Sequence, residues 1–156
     1  GWLNNSGSGR SAAANTALQQ ARGEYCLFLD DDDWLDSTHI SGLMTALQQH
    51  RAQVAYSGVR TVHEDGRVDD SAFNSPYDPL RLRIENYIPI HAVLFARKLY
   101  LDGCRFDTTM DRFEDWDFWL QVAQRTAFVH VAACTANYRI AGGSGYRGLP
   151  CMDAGA

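Results

Sequence analysis

The pattern of apolar and polar positions near the start of the chain predicts a helix followed by a strand. Residues 10–22 are rich in Ala, Leu and Gln and are followed by Gly23, a composition that predicts a helix with a glycine stop signal. The apolar run 24–29 lies between this glycine and a run of acids, and its length predicts a buried strand. A helix that leads directly into a buried strand indicates an α/β layer.

The rest of the chain continues this alternation. A second helix is predicted to begin at a cap formed by Asp36 or Ser37 and to reach His50, because apolar residues fall on one helical face. The Asp65-Gly66 step predicts a hairpin turn. The remaining predicted elements are strands at 53–59, 91–96, 127–131 and 135–140, helices at 98–102 and 114–125, and a loop at 71–89 with a short helix at 80–85.

Composition and charge limit the classes of function. A chain of 156 residues with 46% hydrophobic and 21% charged positions is large enough to fold as one globular domain. Its net charge of -5 argues against nucleic acid as a partner, since phosphate binding needs clustered positive charge. No apolar run approaches the roughly 18 residues that a membrane span requires. The four cysteines lack the spacing of a zinc or redox motif.

An acidic run at 30–33 directly follows the predicted strand 24–29. Ligands of open α/β sheets bind at the carboxyl ends of strands, so this run lies where a site is expected. Alternate residues of an extended chain point the same way, which lets Asp30 and Asp32 converge as a D-x-D pair for a hard divalent cation. The alternative is a solvated acidic turn that caps the following helix.

A second cluster, of acids and aromatic residues, lies at 113–119, at the start of a predicted helix. Helical geometry places Glu114 and Asp115 on different faces, so one acid can enter a site while the other holds the neighbouring loop. A carboxylate beside aromatic rings loses solvation, which favours a general base near neutral pH. Trp116 or Trp119 could form a surface on which a sugar ring stacks. Helix capping and core packing are the alternatives.

Four segments in a fixed order carry a resemblance to a known family. The first contains Gly9, Asn15 and Gly23 and ends in Phe28-Leu29-Asp30-Asp31-Asp32-Asp33-Trp34. The second contains Asp102-Gly103 and Phe106-Asp107. The third is Glu114-Asp115-Trp116-Asp117, and the fourth is Tyr138-Arg139. In order and spacing they resemble family 2 glycosyltransferases with the GT-A fold, over most of the chain. The resemblance implies an α/β protein: a truncated GT-A-type three-layer α/β/α domain with a mixed, mainly parallel sheet.

The resemblance also implies boundaries. Family members begin with a strand-helix-strand unit that holds the nucleobase, and nothing of that kind precedes Asn4, so a partial glycosyltransferase domain is expected over 1–145. Residues 146–156 are expected to form a flexible tail. Two positions depart from the family pattern. Ala14 stands where Arg is frequent, with Arg10 one turn earlier as a substitute, and Ala141 stands where His is frequent.

The resemblance further implies a role for each candidate residue. An inverting transfer would use Asp115 as the general base and Glu114 as its orienting partner or as an acceptor contact. A divalent cation, Mg²⁺ or Mn²⁺, would be bound by Asp30 and Asp32, with Asp33 as a further ligand or support. The implied donor contacts are Asp30, Asp31, Asp32, Asn15, Arg10 and Arg139. The implied acceptor contacts are Trp116 and His91, with a core position as the alternative for His91.

The expected partners are a nucleoside-diphosphate sugar, in the first place a UDP-sugar, and a saccharide, lipid-linked or protein acceptor. The expected location is the cytoplasm, with peripheral association at the inner face of the membrane left open, as in bacterial-type cell-surface polysaccharide synthesis. The alternative function is an inactive or incomplete module of the same fold that binds metal or a partner without turnover. The missing nucleobase unit and the alanine at position 141 favour that alternative.

Overall fold

The computed structural model describes residue 7 and residues 9–140. Within this part the helices are α1 (Arg10–Gln20), α2 (His39–His50), α3 (Pro79–Leu82), α4 (Arg97–Leu101) and α5 (Glu114–Ala123). The strands are β1 (Tyr25–Cys26), β2 (Trp34–Leu35), β3 (Val54–His63), β4 (Val68–Phe73), β5 (Val93–Ala96) and β6 (Val129–Ile140), with a 3-10 turn at Ile90–Ala92. Ala141 and the tail predicted at 146–156 lie outside the described residues. None of the helices in this part of the chain is long and apolar enough to cross a membrane.

The strands form one mixed sheet in the order β1-β5-β3-β6-β2, with β4 paired to the far half of β3. This confirms an α/β fold with a mixed sheet, but among the described pairings only that of β3 with β6 is parallel. The connections explain why. The tight turn at Gly66 makes β4 antiparallel to β3, whereas the long, helix-containing connection from β3 to β6 permits a parallel return. The described sheet is therefore less parallel than predicted.

Alternating residues of the central strand β3 face two helical layers. Val54 and Tyr56 pack into the larger core cluster together with Trp119 of α5. Ala55 packs on the other side with Leu43 of α2. Because strand side chains alternate in direction, one strand buries both of its faces, and the domain has the predicted three α/β/α layers.

Several element boundaries differ from those predicted. The first strand is limited to Tyr25–Cys26, and the two strands expected at 127–131 and 135–140 form the single strand β6. β6 stays paired with β3 through register shifts next to Gly58. A Cβ at position 58 would lie 2.6 Å from Sγ of Cys134, so glycine permits this close approach.

The start of α2 also differs from the prediction. Thr38 precedes the helix, and its side chain makes no capping hydrogen bond. The Asp36 carboxylate instead accepts hydrogen bonds from Arg60 at 2.9 Å and from Asn137 at 3.0 Å. The predicted cap by Asp36 is wrong because partners on β3 and β6 occupy the same carboxylate.

Candidate functional site

The acidic run lies in the connection between β1 and β2. Carboxylate oxygens of Asp30, Asp32 and Asp33, which we call the aspartate cluster, lie within 4.8 Å of one another. Asp31 is exposed and lies outside this group. Hard divalent cations such as Mg²⁺ and Mn²⁺ prefer oxygen ligands, so the donor set fits such an ion. The fold thus brings together the three residues predicted as metal ligands.

Asp33 is the buried member of the aspartate cluster, with 1% of its side chain exposed. Its Oδ1 accepts the backbone N–H of Arg139 at 3.0 Å, and its Oδ2 lies 3.4 Å from Nδ1 of His91. Burial, together with the nearby Asp32 and Asp30 charges, raises the pKa of Asp33 to about 6 against the effect of the Arg139 hydrogen bond. Asp33 therefore ties the acidic segment to β6 and to the turn before β5.

His91, one of the two predicted acceptor contacts, is an interior residue with 2% exposure. Its ring stacks on that of Tyr138, with the centroids 5.8 Å apart. Burial lowers the pKa of His91 to about 4. His91 is therefore neutral near pH 7, and in this structure it contacts Asp33 rather than solvent.

Arg10 connects the aspartate cluster to the start of α5. Its Nη2 lies 3.0 Å from Oδ2 of Asp30, and its Nε lies 3.4 Å from Oε1 of Glu114. Arg10 is the first residue of α1, so the helix start introduces a positive charge between two acidic segments. The two segments that the sequence singled out therefore border one site.

The other acids at the start of α5 have hydrogen-bond donors of their own. Oδ2 of Asp115 accepts from Nδ2 of Asn86 at 3.1 Å, and its Oδ1 accepts the N–H of Trp116 at 2.8 Å. Asp117 accepts from Nε2 of Gln121, one turn later, at 2.7 Å. Asn86 comes from the loop predicted at 71–89. Nothing in the sequence marked it, because its contact depends on how that loop folds back.

Two aromatic residues lie beside these acids. Trp116 is half-buried, and its indole N–H donates to the carbonyl of Leu82 at 2.6 Å. Phe113 is 58% exposed, with its ring centroid 6.0 Å from that of Trp116. Phe113 has a left-handed backbone with φ 61, a costly conformation for an aromatic residue. It is an exposed aromatic group at the site. The sequence placed it in the cluster at 113–119 without a role, since no local pattern marks its left-handed backbone or its exposure.

Two predicted donor contacts are held by backbone groups. Nδ2 of Asn15 donates to the carbonyl of Phe106 at 2.8 Å, and its Oδ1 accepts the N–H of Phe106 at 3.0 Å. Nε of Arg139 donates to the carbonyl of Asp32 at 3.2 Å, and its guanidinium lies 5.5 Å from the centre of the Trp34 ring. Asn15 thus clamps α1 to the segment at Phe106, whereas Arg139 is exposed beside the aspartate cluster.

This three-layer fold, with carboxylates grouped between two of its strands, defines a GT-A-type α/β domain. The crystal structure of S. aureus TarS 1–349 in complex with UDP-GlcNAc matches it with a TM-score of 0.71 at 20% identity, covering 89% of this chain and 42% of that one. The complex of TarS 1–349 with UDP matches with a TM-score of 0.60 at 19% identity, covering 81% and 38%. The predicted fold is confirmed.

The family follows from the sequence. The model of Glycosyl transferase family 2 matches residues 3–109, and the chain belongs to that family. The resemblance on which the sequence analysis relied is confirmed. The matched range contains α1 and the aspartate cluster and ends before α5.

Two curated relatives that match the chain carry glycosyltransferase names. The glycosyltransferase MJ1057 of Methanocaldococcus jannaschii is 23% identical over 137 residues, which is 85% of this chain and 47% of that protein. The glycosyltransferase YwdF of Bacillus subtilis is 25% identical over 125 residues, which is 75% of this chain and 45% of that protein. The chain therefore spans about half the length of these relatives.

Proposed function

We propose that this chain is the catalytic part of an inverting glycosyltransferase that moves a sugar from a nucleoside-diphosphate sugar to an acceptor hydroxyl. The observation that carries the proposal is the bridge from Asp30 through Arg10 to Glu114, which sets the aspartate cluster, whose oxygen ligands suit a divalent cation, beside the acids of α5. Family membership supports the same reaction class. The TarS complexes with UDP-GlcNAc and UDP support a UDP-sugar as the donor. The acceptor is a saccharide, a lipid-linked molecule or a protein.

The aspartate cluster and two arginines form the donor side of the proposed site. A Mg²⁺ or Mn²⁺ ion held by Asp30 and Asp32 would stabilise the negative charge that develops on the leaving diphosphate. Asp33 supports these two carboxylates from the interior, and the exposed Asp31 is a further donor contact. The guanidinium groups of Arg10 and Arg139 are exposed beside the cluster and can bind phosphate oxygens.

Asp115 is the proposed general base. Its carboxylate accepts the proton of the acceptor hydroxyl while that oxygen attacks the anomeric carbon, on the face opposite the departing diphosphate. One C–O bond forms as the bond to the diphosphate breaks, which inverts the anomeric configuration. Asn86 orients one carboxylate oxygen of Asp115, and Glu114, paired with Arg10, holds the helix start beside the donor.

The acceptor side is assigned to the aromatic residues at the start of α5. Trp116 and the exposed Phe113 offer rings against which the apolar face of a sugar packs. The buried His91 is assigned to the support of Asp33 instead of to the acceptor. Asn15 is likewise assigned a supporting role instead of a donor contact. Both the oxygen and the nitrogen of its side-chain amide are hydrogen-bonded to the backbone of Phe106.

Titration of UDP in the presence of Mn²⁺ tests the donor side. Asp32→Ala should weaken UDP binding by at least about tenfold. Mutation of a residue that only hydrogen-bonds to a metal ligand already lowers metal affinity by about that factor. Chelation of the metal with EDTA should weaken binding to the wild-type chain in the same way. Asp70→Ala is the matched control, because it removes the same charge from an exposed position on β4 and should leave the affinity unchanged.

Metal-dependent UDP binding that survives Asp32→Ala would contradict the ligand role of the aspartate cluster. UDP binding without transfer to water or to any acceptor would instead favour the inactive module of the same fold.

A further inference from the structure

The outward side of α3 carries apolar side chains where polar ones are expected. The backbone N–H groups of Ile84 and Glu85 donate to the carbonyl of Arg81, so the helical turn continues beyond Leu82. Leu80 and Ile84 lie one turn apart on one side of it. Their exposures of 66% and 79% are the two highest among the large apolar side chains of the described residues. The exposed side of a surface helix is normally polar, so this pair has no explanation within the fold.

Arg83 lies on the same side of the turn as these two aliphatic residues. It is exposed, and within residues 9–140 its guanidinium group forms no ion pair. The other charged groups of the turn are engaged locally. Arg81 pairs with Glu85, and Oδ1 of Asp78 accepts two backbone N–H groups at the start of α3. Arg83 and the two aliphatic residues form the surface that we call the α3 face.

The α3 face borders the acids of α5. The indole N–H of Trp116 donates to the carbonyl of Leu82 at 2.6 Å, and Nδ2 of Asn86 donates to Oδ2 of Asp115 at 3.1 Å. These two hydrogen bonds hold the turn of α3 against the start of α5. The exposed ring of Phe113 lies edge-on to that of Trp116. The face is therefore fixed beside the carboxylate proposed as the general base.

We propose that the α3 face binds the acceptor and that this acceptor is a lipid-linked sugar. Its hydrocarbon chain packs on Leu80 and Ile84, its phosphate pairs with Arg83, and the hydroxyl of its sugar reaches Asp115. This inference rests on the proposed function, because it names the acceptor class of the same transfer.

The chemistry of the α3 face favours this class over the two others. A free saccharide has neither an apolar chain for the aliphatic pair nor an anionic group for Arg83. A stable protein interface takes roughly 20 residues a side, far more than the three side chains of this face. An isoprenoid or acyl chain with a phosphate matches both the apolar pair and the cation.

Farnesyl phosphate, an isoprenoid chain with a phosphate head, serves as the probe. It is titrated by calorimetry, as dissolved monomer, into the wild-type chain, with inorganic phosphate and octyl glucoside as the separate head and tail. Farnesyl phosphate should bind more tightly than either. The double substitution Leu80→Ser, Ile84→Ser should weaken it by at least about tenfold, because the burial of one aliphatic side chain already contributes about that factor.

Arg83→Gln separates the head from the tail. It should weaken farnesyl phosphate by about twofold to fivefold, the effect of one exposed ion pair, and leave octyl glucoside unchanged. Leu101→Ser, at a 60% exposed position on α4, and Arg22→Gln, at an exposed position after α1, are the matched controls and should change no affinity. UDP affinity with Mn²⁺ should be the same in every variant, because the donor side is intact.

Equal affinities of the double variant and the wild-type chain for farnesyl phosphate would exclude the α3 face, as would an equal loss in Leu101→Ser. Binding to phosphatidylglycerol vesicles that is as tight as that of farnesyl phosphate would assign the face to a membrane surface and overturn the acceptor role. A wild-type chain that binds UDP but no farnesyl phosphate would exclude a lipid-linked acceptor and leave the proposed function intact. A wild-type chain that does not bind UDP would contradict the proposed function itself.

Discussion

The two acidic segments of the site place their charges in opposite environments. In the aspartate cluster, three carboxylates lie within 4.8 Å of one another, and Arg10 contacts only Asp30 among them. At the start of α5 each acid has a partner: Glu114 pairs with Arg10, which it shares with Asp30, while Asp115 accepts from Asn86 and Asp117 from Gln121. The first arrangement leaves negative charge that a cation would neutralise. The second is already satisfied by the protein.

This difference separates binding from proton transfer. Crowded carboxylates repel one another, so the aspartate cluster gains most when a divalent ion enters. A carboxylate oriented by a neutral amide, as Asp115 is by Asn86, keeps a defined direction and needs no ion. We therefore expect substitutions in the cluster to change donor binding and stability, and substitutions at the start of α5 to change the rate of transfer.

The largest expected effect is that of Asp115→Asn on transfer. An amide cannot accept the proton of the acceptor hydroxyl, so the rate should fall by about 10² to 10⁴, the usual contribution of a general base. UDP affinity in Mn²⁺ should stay unchanged, because the donor side is intact. A radiolabelled transfer assay and calorimetry measure the two quantities.

Asp117→Asn is the control for Asp115→Asn, because Asp117 lies in the same turn and bonds only within the helix, to Gln121. It should transfer at nearly the wild-type rate. Wild-type rates in Asp115→Asn would assign the base to another residue and would remove the contrast between the two segments.

A smaller effect is expected inside the aspartate cluster, where Asp33 and Asp32 should differ in stability. Asp33→Ala leaves the Arg139 N–H and His91 without their partner, so the free energy of unfolding should fall by about 1–3 kcal/mol. Asp32→Ala removes an exposed carboxylate and should change it by no more than about 0.5 kcal/mol. Urea unfolding without metal measures both.

Asp33→Asn sharpens this test of the interior support. It keeps one oxygen for the Arg139 N–H and should lie between the wild-type chain and Asp33→Ala in stability. Equal stabilities of Asp32→Ala and Asp33→Ala would show that Asp33 does not support the segment from within.

Local patterns predicted the parts of the fold that depend on short stretches of chain. The helix at 10–22, the hairpin turn at Asp65-Gly66 and the amphipathic helix at 114–125 are confirmed, apart from a few end residues, because each depends on its own composition and periodicity. Two features could not be predicted: that Asp36 does not cap α2, and that residues 129–140 form one continuous strand, β6. Both depend on partners far away in sequence, Arg60 and Asn137 in the first case and β3 in the second.

The candidate site shows the same division. Segment order placed the acids at 30–33 and 114–117 in one family pattern, and the fold brings them together through Arg10. Sequence could not show that His91 is buried against Asp33, or that Asn86 reaches Asp115. Those contacts are set by the course of the 71–96 region across the domain, which no local propensity determines.

The smallest expected effect comes from the residue that joins the two segments. Arg10 is 69% exposed, so Arg10→Ala should alter stability by less than about 1 kcal/mol. Without its charge, Mn²⁺ alone should bind the aspartate cluster more tightly, by up to about fivefold, which corresponds to the ~1 kcal/mol between nearby unit charges in water. UDP at saturating Mn²⁺ should bind more weakly, because a phosphate contact is lost.

The opposite signs of the two changes are the signature of Arg10. Arg67→Ala is the matched control, because it removes a guanidinium that is 75% exposed and paired with Asp65 far from the site, and it should change neither affinity. If Arg10→Ala also changes neither, the bridge between Asp30 and Glu114 is a surface ion pair without a role in binding. The aspartate cluster and the start of α5 would then be neighbours through packing alone, and the donor would have to be held by Arg139 and the cation.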